Sequence, residues 1–489
     1  MIVSKWRTLW VQSFLILLLL ILTLSIDVAP VQAATIQVTT FGDEDTYNSF
    51  CSLQEAIVAA NSDNPSGYNG CTAGSGADTI TLPAGTYTIT SRLPAITSEI
   101  SIIGASAEST IIQADSCNPV EETCTHQHRI FWVSSTGDLT LKNLTVQHGN
   151  GILSANGGAM INQGSLTIEN SIIKDNHGDS NVGAIVNTIG GLLTVTDSTF
   201  SGNKTKSGGT GGAIHNESST IIKSSTFYEN SAGFGGGAIS NDDGDLTIIN
   251  STISSNSADT NGGGIYNRSA LLLINCTLNN NTVGANGTGL YNQGSFDIIN
   301  TIIASSITKS DCYDIGTINT NKNNLIEDGT CDPDYSGDPL LVTLADNGGE
   351  TKTHALGSES TAIDNGEEFY CPEFDQRGVG RPQGERCDIG AFEFYPAVAD
   401  MMGSPREGIA PLEVTFTNQS TGDYDTCLWD FGDGSTSIDC EPSPHTYKAA
   451  GTYTVSLTVN GLGGEDTKTR VDYIKVTAYE NYLPLISRN

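Results

Sequence analysis

The sequence has little positive charge. Among its 489 residues, 22 Lys and Arg stand against 55 Asp and Glu, so the formal net charge is -33 and the isoelectric point is about 4.3. Proteins bind DNA and RNA largely by neutralising phosphates with clustered cations, and this deficit therefore argues against nucleic-acid binding. The excess of carboxylates is expected to repel acidic polymers and to attract cations.

Long apolar runs are missing outside the N-terminus. Lys5 and Arg7 precede the apolar stretch Phe14–Leu24, and the small-residue pattern that ends at Ala33 is typical of a cleavage site. Residues 1–33 are therefore predicted to be an export signal, and the mature chain is expected to have no membrane span. The alternative is an uncleaved anchor, because the run is about as long as the shortest membrane helix of roughly 18 residues.

The cysteines lack the CxxC spacing that is typical of zinc sites. Ten of the eleven cysteines fall in close sequence pairs, as expected for disulfides in an oxidising compartment. The predicted disulfides are Cys51–Cys71, Cys117–Cys124, Cys312–Cys331, Cys371–Cys387 and Cys427–Cys440. Cys276 is left over and is predicted to be a buried free thiol.

The strongest pattern in the sequence is an internal repeat of 25–27 residues, which is typical of a solenoid. Each copy contains a polar position that suits a sharp bend, because Asn tolerates left-handed backbone angles. The bend residues are Asn143, Asn170, Asp197, Ser224, Asn250, Asn275 and Asn300. The flanking apolar columns are Leu141, Ile168, Val195, Ile222, Ile248, Leu273 and Ile298, and Val146, Ile173, Phe200, Phe227, Ile253, Leu278 and Ile303. A third apolar column, two residues before an Asn in each copy, is Met160, Ile185, Ile214, Ile239, Ile265 and Leu290.

These columns predict three short strands in each repeat. One repeat cannot bury its apolar side alone, but repeats stacked in register enclose a common core. The predicted fold is therefore all-β, with a parallel β-helix solenoid over residues 136–310. This architecture resembles the right-handed parallel β-helix proteins of the pectin-lyase-like type, whose bends carry similar Asn ladders.

The segments on both sides of the repeats sharpen this resemblance. Cys51–Ile57 is similar to the CSLREA motif of bacterial secreted β-helices, although Gln54 stands where that motif has Arg. Leu344–Gly349 and Asp388–Glu393 resemble the choice-of-anchor Q domain that often follows such helices. The resemblance implies an N-terminal cap with the first coils over residues 34–135, and C-terminal coils with a cap over residues 311–395. Helix is expected mainly over residues 52–60.

Residues 396–478 are predicted to form a second unit. Trp429–Gly434, His445–Tyr447 and the alternating segment Gly451–Val459 resemble a PKD domain, and this resemblance implies an immunoglobulin-like β-sandwich. The resemblance also implies a role as a spacer or as a module that contacts carbohydrate or protein. The tail, residues 479–489, is too short to span a membrane.

One constellation of charged residues lies on the repeats. Glu217, Asp242 and Arg268 each follow the Asn of three successive copies, and stacked strands lie about 4.8 Å apart. Two carboxyl groups separated by about 5 to 5.5 Å suit a retaining glycosidase. Alternatively, Asp242, Asp243 and Asp245 beside Glu217 suit Ca²⁺, and Arg268 and Asp243 are candidate ligand contacts. The plainer interpretation is a solvated bend in which Arg268 offsets the acids, and it is the one that we favour.

Other signs of catalysis are missing from the repeats. They contain no Gly-His-Gly motif and no Arg or Lys base of the lyase type with a calcium cage. In the PKD-like unit, Asp430 and Asp433 are candidate Ca²⁺ ligands, but an Asp beside a Gly more often caps a turn. No metal site is therefore assigned, and Ca²⁺ is the one cofactor that these acids would suit.

The few basic residues form two groups. Arg377, Arg381 and Arg386 lie around the predicted Cys371–Cys387 disulfide and are expected to form a salt-bridged cap over the open end of the coil, rather than to hold an anionic ligand. Lys204 and Lys206 lie beside two glycines and are expected to lie in a mobile, solvated loop.

Together these features favour an exported protein, secreted or held at the cell surface, that makes adhesion or glycan contacts along the solenoid face. Its expected partner is a polysaccharide or a cell-surface protein, and the chain is expected to be a monomer. No catalytic residue is assigned. The alternative is a polysaccharide lyase or a glycoside hydrolase, because the fold alone does not decide between these functions.

Overall fold

The computed structural model describes residues 33–63, 68–118, 128–151, 157–178, 182–304 and 309–479. Residues 1–32 of the predicted export signal, Cys124 and residues 480–489 of the tail lie outside these ranges. Within them the chain is nearly all-β, as predicted, and a solenoid of parallel strands precedes a β-sandwich. The helical segments of the described part are α1 (Leu53–Ser62) and a 3-10 turn, Glu368–Tyr370.

Helix α1 begins at a capping box. Ser52 Oγ accepts a hydrogen bond from the N–H of Glu55 (3.2 Å), and the Glu55 carboxylate accepts one from the N–H of Ser52 (3.0 Å). These two bonds satisfy backbone donors that the first turn of a helix leaves free. Ala56, Ile57 and Ala60 belong to the same buried cluster as the first coils, so α1 contributes to the solenoid core at its N-terminal end.

Four parallel sheets run along the solenoid. Sheet 1 consists of Thr35–Gln37, Asp78–Leu82, Glu99–Gly104, Asp138–Lys142, Ser165–Glu169, Leu192–Thr196, Ser219–Lys223, Asp245–Ile249, Ala270–Ile274, Ser295–Ile299 and Thr317–Lys322. Sheet 2 consists of Gly85–Thr88, Thr110–Gln113, Thr145–Gln147, Ile172–Lys174, Thr199–Ser201, Thr226–Tyr228, Thr252–Ser254, Thr277–Asn279, Ile302–Ala304 and Leu325–Ile326. Sheet 3 consists of Phe131–Val133, Met160–Asn162, Ile185–Asn187, Ile214–Asn216, Ile239–Asn241, Ile265–Asn267, Leu290–Asn292 and Cys312–Asp314. Sheet 4 consists of His177–Gly178, Lys204–Thr210, Ser231–Gly235, Ser257–Ala258 and Thr282–Val283.

The strand register reproduces the predicted apolar columns. In sheet 1, Ile168 pairs with Leu141 on one side and with Val195 on the other. In sheet 2, the rings of Phe200 and Phe227 stack with their centroids 4.6 Å apart. These side chains are fully buried, and burial of one such side chain stabilises a protein by about 1.5–3 kcal/mol. The core therefore fills the interior of the solenoid.

The predicted bend residues all have left-handed backbone. Their φ angles lie between 47° and 56° for Asn143, Asn170, Asp197, Ser224, Asn250, Asn275 and Asn300. Asn and Asp adopt this region more readily than other residues with a Cβ atom. The bend is therefore a property of the local residue type as well as of the stack.

The middle coils contain a fourth strand, where three were predicted. Lys204–Thr210, predicted as a mobile loop, pairs in parallel with His177–Gly178 and with Ser231–Gly235. The prediction was wrong because this segment has two glycines and no apolar alternation. Its backbone hydrogen bonds with neighbouring coils, and not a buried side-chain pattern, make it a strand.

Two columns of buried Asn side chains connect successive coils. In each column the Nδ2 group donates a hydrogen bond to the Oδ1 atom of the next coil, over 2.6–3.0 Å. The first column is Asn162, Asn187, Asn216, Asn241, Asn267 and Asn292, and it ends at Asp314. The second column is Asn176, Asn203, Asn230, Asn256 and Asn281. These ladders satisfy amides that would otherwise be buried without partners.

Cys276 is fully buried and forms no disulfide. It occupies a column in which Ser225 and Ser251 each donate a hydroxyl hydrogen bond to the carbonyl two residues earlier. The Sγ atom of Cys276 makes the equivalent contact with the carbonyl of Ile274 at 3.4 Å. Burial raises the pKa of the thiol to about 12, so the reactive thiolate is suppressed.

The disulfides flank this thiol in sequence. Four of the predicted pairs are present, namely Cys51–Cys71, Cys312–Cys331, Cys371–Cys387 and Cys427–Cys440. The fifth pair, Cys117–Cys124, involves a residue outside the described ranges.

Asp311 is a buried carboxyl group beside the Cys312–Cys331 disulfide. Burial, with a smaller effect from Asp328, raises its pKa to about 7, whereas an Asp in an unfolded chain has a pKa of about 3.9. The native state therefore keeps a proton that the unfolded chain releases, and stability should fall as the pH rises from about 4 to about 7. Replacing Asp311 by Asn should remove this contribution and flatten the pH dependence of urea unfolding across that range. An unchanged dependence in the variant would show that Asp311 is not its source.

Residues 339–394, here called the strap, lie against the outer face of sheet 2. Thr226 Oγ1 donates to the carbonyl of Lys352 (2.6 Å), Thr252 Oγ1 donates to Gln376 Oε1 (2.7 Å), and Thr277 Oγ1 accepts from the N–H of Ala391 (3.0 Å). Ile302 and Leu325 point outward from sheet 2 and are buried in the same cluster as Phe392 of the strap. The strap thus covers outward apolar residues that water would otherwise reach.

The strap corrects the predicted position of the arginine cap. Arg381 and Glu393 form a salt bridge of 2.8 Å with both side chains fully buried, and Arg377 pairs with Asp375 at 2.9 Å. These pairs lie along the side of the solenoid and not over its open end, because the outer face of sheet 2 is the surface that needs cover. Arg377 also reaches Asp423 of the sandwich at 2.9 Å.

The C-terminal unit is a sandwich of two sheets. One sheet consists of Met401–Ser404, Leu412–Asn418 and His445–Tyr447, and the other of Glu407–Ile409, Gly464–Thr477, Gly451–Gly461, Thr426–Asp430 and Thr436–Ser437. Trp429, Phe416 and Tyr447 are buried between the sheets. The Tyr447 hydroxyl donates to the carbonyl of Phe431 at 2.9 Å.

Candidate functional site

The outer face of sheet 3 presents one side chain from each coil. In its three-residue strands the first and third residues point inward, so the central residue points outward. The central residues are Trp132, Ile161, Val186, His215, Ser240, Tyr266, Tyr291 and Tyr313. The residues that directly follow the inner Asn column are Gln163, Thr188, Glu217, Asp242, Arg268 and Gln293. Sheet 3 therefore combines two outward columns, one of mixed character and one polar.

A pocket opens on this face. It has a volume of about 260 Å³, and its lining, which defines the sheet 3 pocket, is Val182, Val186, Gly208, Thr210, His215, Glu217 and Asp242. Val182 and Val186 are almost fully buried and supply an apolar part of the lining. Thr210 and Gly208 come from the strand of sheet 4 that the sequence pattern did not predict.

The turn between sheets 4 and 3 brings Thr210 beside His215. Gly211 has a φ of 67°, and a Cβ atom there would clash with the carbonyl of Ile214. Glycine is therefore required for the chain to turn this sharply. As a result Thr210 Oγ1 lies 2.9 Å from His215 Nδ1.

His215 links the two candidate carboxylates. Its Nε2 atom lies 3.4 Å from Glu217 Oε1 and 4.0 Å from Asp242 Oδ2. The His215 residue is 8% exposed, so its ring is held in the pocket wall. In the tautomer with the proton on Nε2, that proton faces the carboxylates and Nδ1 accepts the hydrogen bond of the Thr210 hydroxyl.

Both carboxylates keep part of their hydrogen-bonding capacity. The hydrogen bond from His215 holds the pKa of Glu217 below its ordinary value, although burial opposes this effect. Asp242 Oδ1 accepts from Ser240 Oγ at 3.0 Å, and Asp242 Oδ2 lies 3.5 Å from Arg268 Nη1. Because an ionised carboxylate has about four acceptor positions, both groups can accept further hydrogen bonds from a ligand.

The structure brings together most of the residues singled out in the sequence. Glu217, Asp242 and Arg268 lie on three successive coils, and Asp242 lies 3.5 Å from Arg268, whereas Asp243 is exposed and outside the pocket lining. His215 was missed, although its place between Ile214 and Asn216 is the outward position of a strand. Thr210 was missed because its strand was taken for a loop.

The tyrosines of sheet 3 form a stack beside the pocket. The rings of Tyr266, Tyr291 and Tyr313 are nearly parallel, with successive centroids 5.3 Å apart. Tyr266 and Tyr291 are each only 6% exposed, and Gln293 hydrogen-bonds to both of their hydroxyl groups. The stack therefore stabilises this face and does not offer an open aromatic platform.

A second and larger pocket lies at the bend between sheets 1 and 2. It has a volume of about 310 Å³, and Glu108, Asp197 and Glu350 are the charged residues of its lining. Burial, and then the nearby Glu350 and Glu169, raise the pKa of Asp197. Of these two pockets, the sheet 3 pocket is the one that combines carboxylates with a histidine and a buried apolar wall, so we place the candidate site there.

The described residues contain no group of three or more His, Cys, Asp or Glu side chains placed to hold a metal ion. Asp430 and Asp433 each have a partner within the sandwich. Asp430 Oδ1 accepts from the N–H of Gly432 at 2.8 Å, and Asp433 Oδ2 pairs with His445 Nε2 at 2.8 Å. Among all the residues that the structure describes, no helix is long and apolar enough to cross a membrane.

Two family matches agree with the geometry. Residues 128–303 match the right-handed beta helix region family, and residues 398–476 match the PKD domain family. The chain therefore contains a right-handed parallel β-helix. A PKD domain follows it, as the sequence predicted. The resemblances to the CSLREA motif and to the choice-of-anchor Q domain stay predictions.

Curated relatives match over short segments. The chain is 38% identical over 84 residues to collagenase ColA of Bacillus cereus, and this match covers 16% of this chain and 8% of the relative. It is 39% identical over 83 residues to the pre-pro-metalloprotease PrtV of Vibrio cholerae, which covers 17% of this chain and 9% of the relative. The chain thus spans less than a tenth of the length of the curated relatives it matches.

Solved structures resemble small parts of the chain. A structure of carbohydrate-binding modules from the beta-sandwich superfamily is 30% identical, with a TM-score of 0.17, and the match covers 18% of this chain and 37% of that one. The PKD1 domain of Vibrio anguillarum Epp is 32% identical, with a TM-score of 0.15, and the match covers 17% of this chain and all of that one. At these TM-scores neither likeness bears on the function.

Proposed function

We propose that this protein acts outside the cell, secreted or at the cell surface, and binds a polysaccharide through the sheet 3 pocket. Its disulfides suit an oxidising compartment. The PKD domain suits a spacer or contact module. The observation that carries the proposal is the mixed lining of the pocket, which has valines on one side and Thr210, His215, Glu217 and Asp242 on the other.

This lining matches the chemistry of a sugar ring. A pyranose has apolar C–H faces and a rim of hydroxyl groups, so it needs both an apolar wall and fixed acceptors. Drug-sized ligands occupy pockets of about 300–1,000 Å³, and a cavity of about 260 Å³ suits a single sugar unit. Because sheet 3 runs along the solenoid, neighbouring units of an extended chain can follow the same face.

Binding of a glycan panel to the full chain, measured by calorimetry, tests the proposal. A bound glycan should lose about tenfold or more of its affinity when Glu217→Gln and Asp242→Asn are combined, because two charge-assisted hydrogen bonds weaken. Asp243→Asn is the matched control, since this adjacent carboxylate is exposed and outside the pocket lining. Equal losses in the two variants, or none in either, would count against the pocket.

A polysaccharide-cleaving enzyme is the second candidate function. It is favoured by the placement of Glu217 and Asp242, which both lie within 4.0 Å of His215 Nε2, because paired carboxylates are the acid and base of most glycosidases. New reducing ends or unsaturated products, formed by the wild type and lost in the double variant, would establish this activity. Binding without either product would leave the contact function alone.

A further inference from the structure

We infer that the sheet 3 pocket selects a sugar unit that carries a protonated amine over one that carries a carboxylate. The inference rests on the proposed function and names the ligand class of the same site. Its basis is the balance of donors and acceptors that face the cavity. The same cavity fixes a histidine, a threonine and an apolar wall around the carboxylates.

The polar side of the pocket is rich in acceptors. With the His215 proton on Nε2, its side-chain donors are the Thr210 hydroxyl, which is used by His215 Nδ1, and His215 Nε2, which faces Glu217. Both donors are therefore engaged within the wall. Glu217 and Asp242 keep unused lone pairs, so a ligand placed here must mainly donate hydrogen bonds.

The charges around the pocket favour the same kind of ligand. Arg268 is the cation closest to Asp242, but its side chain is 52% exposed and its Nη1 atom is 3.5 Å away, at the limit of a hydrogen bond. Arg268 therefore offsets only part of the charge of the two carboxylates, which are less exposed than Arg268. A proton on His215, whose Nε2 atom lies 3.4 Å from Glu217 and 4.0 Å from Asp242, would offset a further part. The whole chain has a formal charge of -33, which repels polyanions over a range set by ionic strength.

A uronic acid unit would place its carboxylate against these acceptors, and the lining itself offers it no unengaged side-chain donor. A neutral hydroxyl donates one hydrogen bond to a carboxylate. A protonated amine donates up to three and also carries the opposite charge. The valines of the pocket suit the C–H face of any of these sugars, so the polar wall supplies the discrimination.

The test compares three oligomers of equal length by calorimetry with the full chain. They are a β-1,4-linked glucosamine oligomer, its fully N-acetylated counterpart, and a galacturonate oligomer, measured at a mildly acidic pH at which the amines are protonated. We expect the amine form to bind at least about fivefold more tightly than the N-acetylated form. The galacturonate form should bind most weakly.

Variants and salt connect this preference to the pocket. Glu217→Gln combined with Asp242→Asn should bring the affinity ratio of the amine and N-acetylated oligomers close to one, while Asp243→Asn keeps it. Raising the ionic strength should lower the ratio for the wild type, and this arm needs no variant to fold. Equal affinity for the amine and N-acetylated forms, or tightest binding of galacturonate, would overturn the inference and leave the proposed function standing. Absence of binding to all three would overturn the inference, and absence of binding across the whole glycan panel would overturn the proposed function as well.

Discussion

Replacing Arg381 by Met should lower the free energy of unfolding by about 3–5 kcal/mol, because it leaves a buried carboxylate without its partner. The Arg381 guanidinium donates to Glu393 Oε2 at 2.8 Å and to the carbonyls of Asp388 and Gly390 at 3.0 and 2.8 Å. Urea unfolding followed by circular dichroism measures the loss. The matched control is Arg386→Met, since Arg386 lies in the same disulfide loop but is partly exposed.

The loss should grow as the pH rises. Burial already raises the pKa of Glu393, and Arg381 is the main charge that opposes this rise. Without Arg381, the native state favours the protonated form of Glu393 even more than it does in the wild type. In the unfolded chain, the Glu393 carboxyl has the ordinary pKa of about 4.3. Stability of the variant should therefore be nearest to that of the wild type in mild acid. A loss below about 1 kcal/mol at every pH would contradict the buried ion pair.

Replacing Asn216 by Ala should lower the free energy of unfolding by about 3 kcal/mol or more, because each buried group that loses its partner costs about 1–3 kcal/mol. Asn216 is fully buried. Its Oδ1 atom accepts from Asn187 Nδ2 at 2.9 Å, and its Nδ2 group donates to Asn241 Oδ1 at 2.8 Å. Thr220 Oγ1 also donates to Asn216 Oδ1 at 2.7 Å. The substitution interrupts the ladder in the middle of the solenoid.

Ser219→Ala, on the exposed side of the same coil, is the control and should change stability by no more than about 0.5 kcal/mol. Thermal and urea unfolding of the two variants should separate them clearly. Similar stability of Asn216→Ala and Ser219→Ala would mean that the ladder does not contribute as its hydrogen bonds indicate.

The inward residues carried most of the information about the fold. Ile168, Phe200 and Ile239 each belong to an apolar column that has one member in every repeat, because every coil must fill the same interior. The three columns therefore predicted sheets 1, 2 and 3. The left-handed bends were equally local, since Asn143 and its equivalents favour that backbone conformation. The disulfide pairs followed from short sequence separations such as that of Cys427 and Cys440.

Features that depend on distant contacts were not predicted. Sheet 4 is held by backbone hydrogen bonds between coils, so Lys204–Thr210 has no side-chain pattern to reveal it. The strap could not be placed either, although the outward apolar residues Ile302 and Leu325 are a sign that something covers sheet 2. At the site, spacing predicted the stack of Glu217, Asp242 and Arg268. The contribution of Thr210 could not be predicted, because it depends on the strand Lys204–Thr210, which the sequence pattern does not show.

Hydrogen–deuterium exchange of the full chain, with and without a saturating bound oligosaccharide, tests the central claim most directly because it locates the contact. The pocket is built from three short stretches of sequence, within residues 182–186, 208–217 and 239–243. We predict that exchange slows in these stretches and stays unchanged along sheet 1 and in the PKD domain. Slower exchange confined to residues 398–476, or to the strap on sheet 2, would contradict a glycan-binding site on sheet 3.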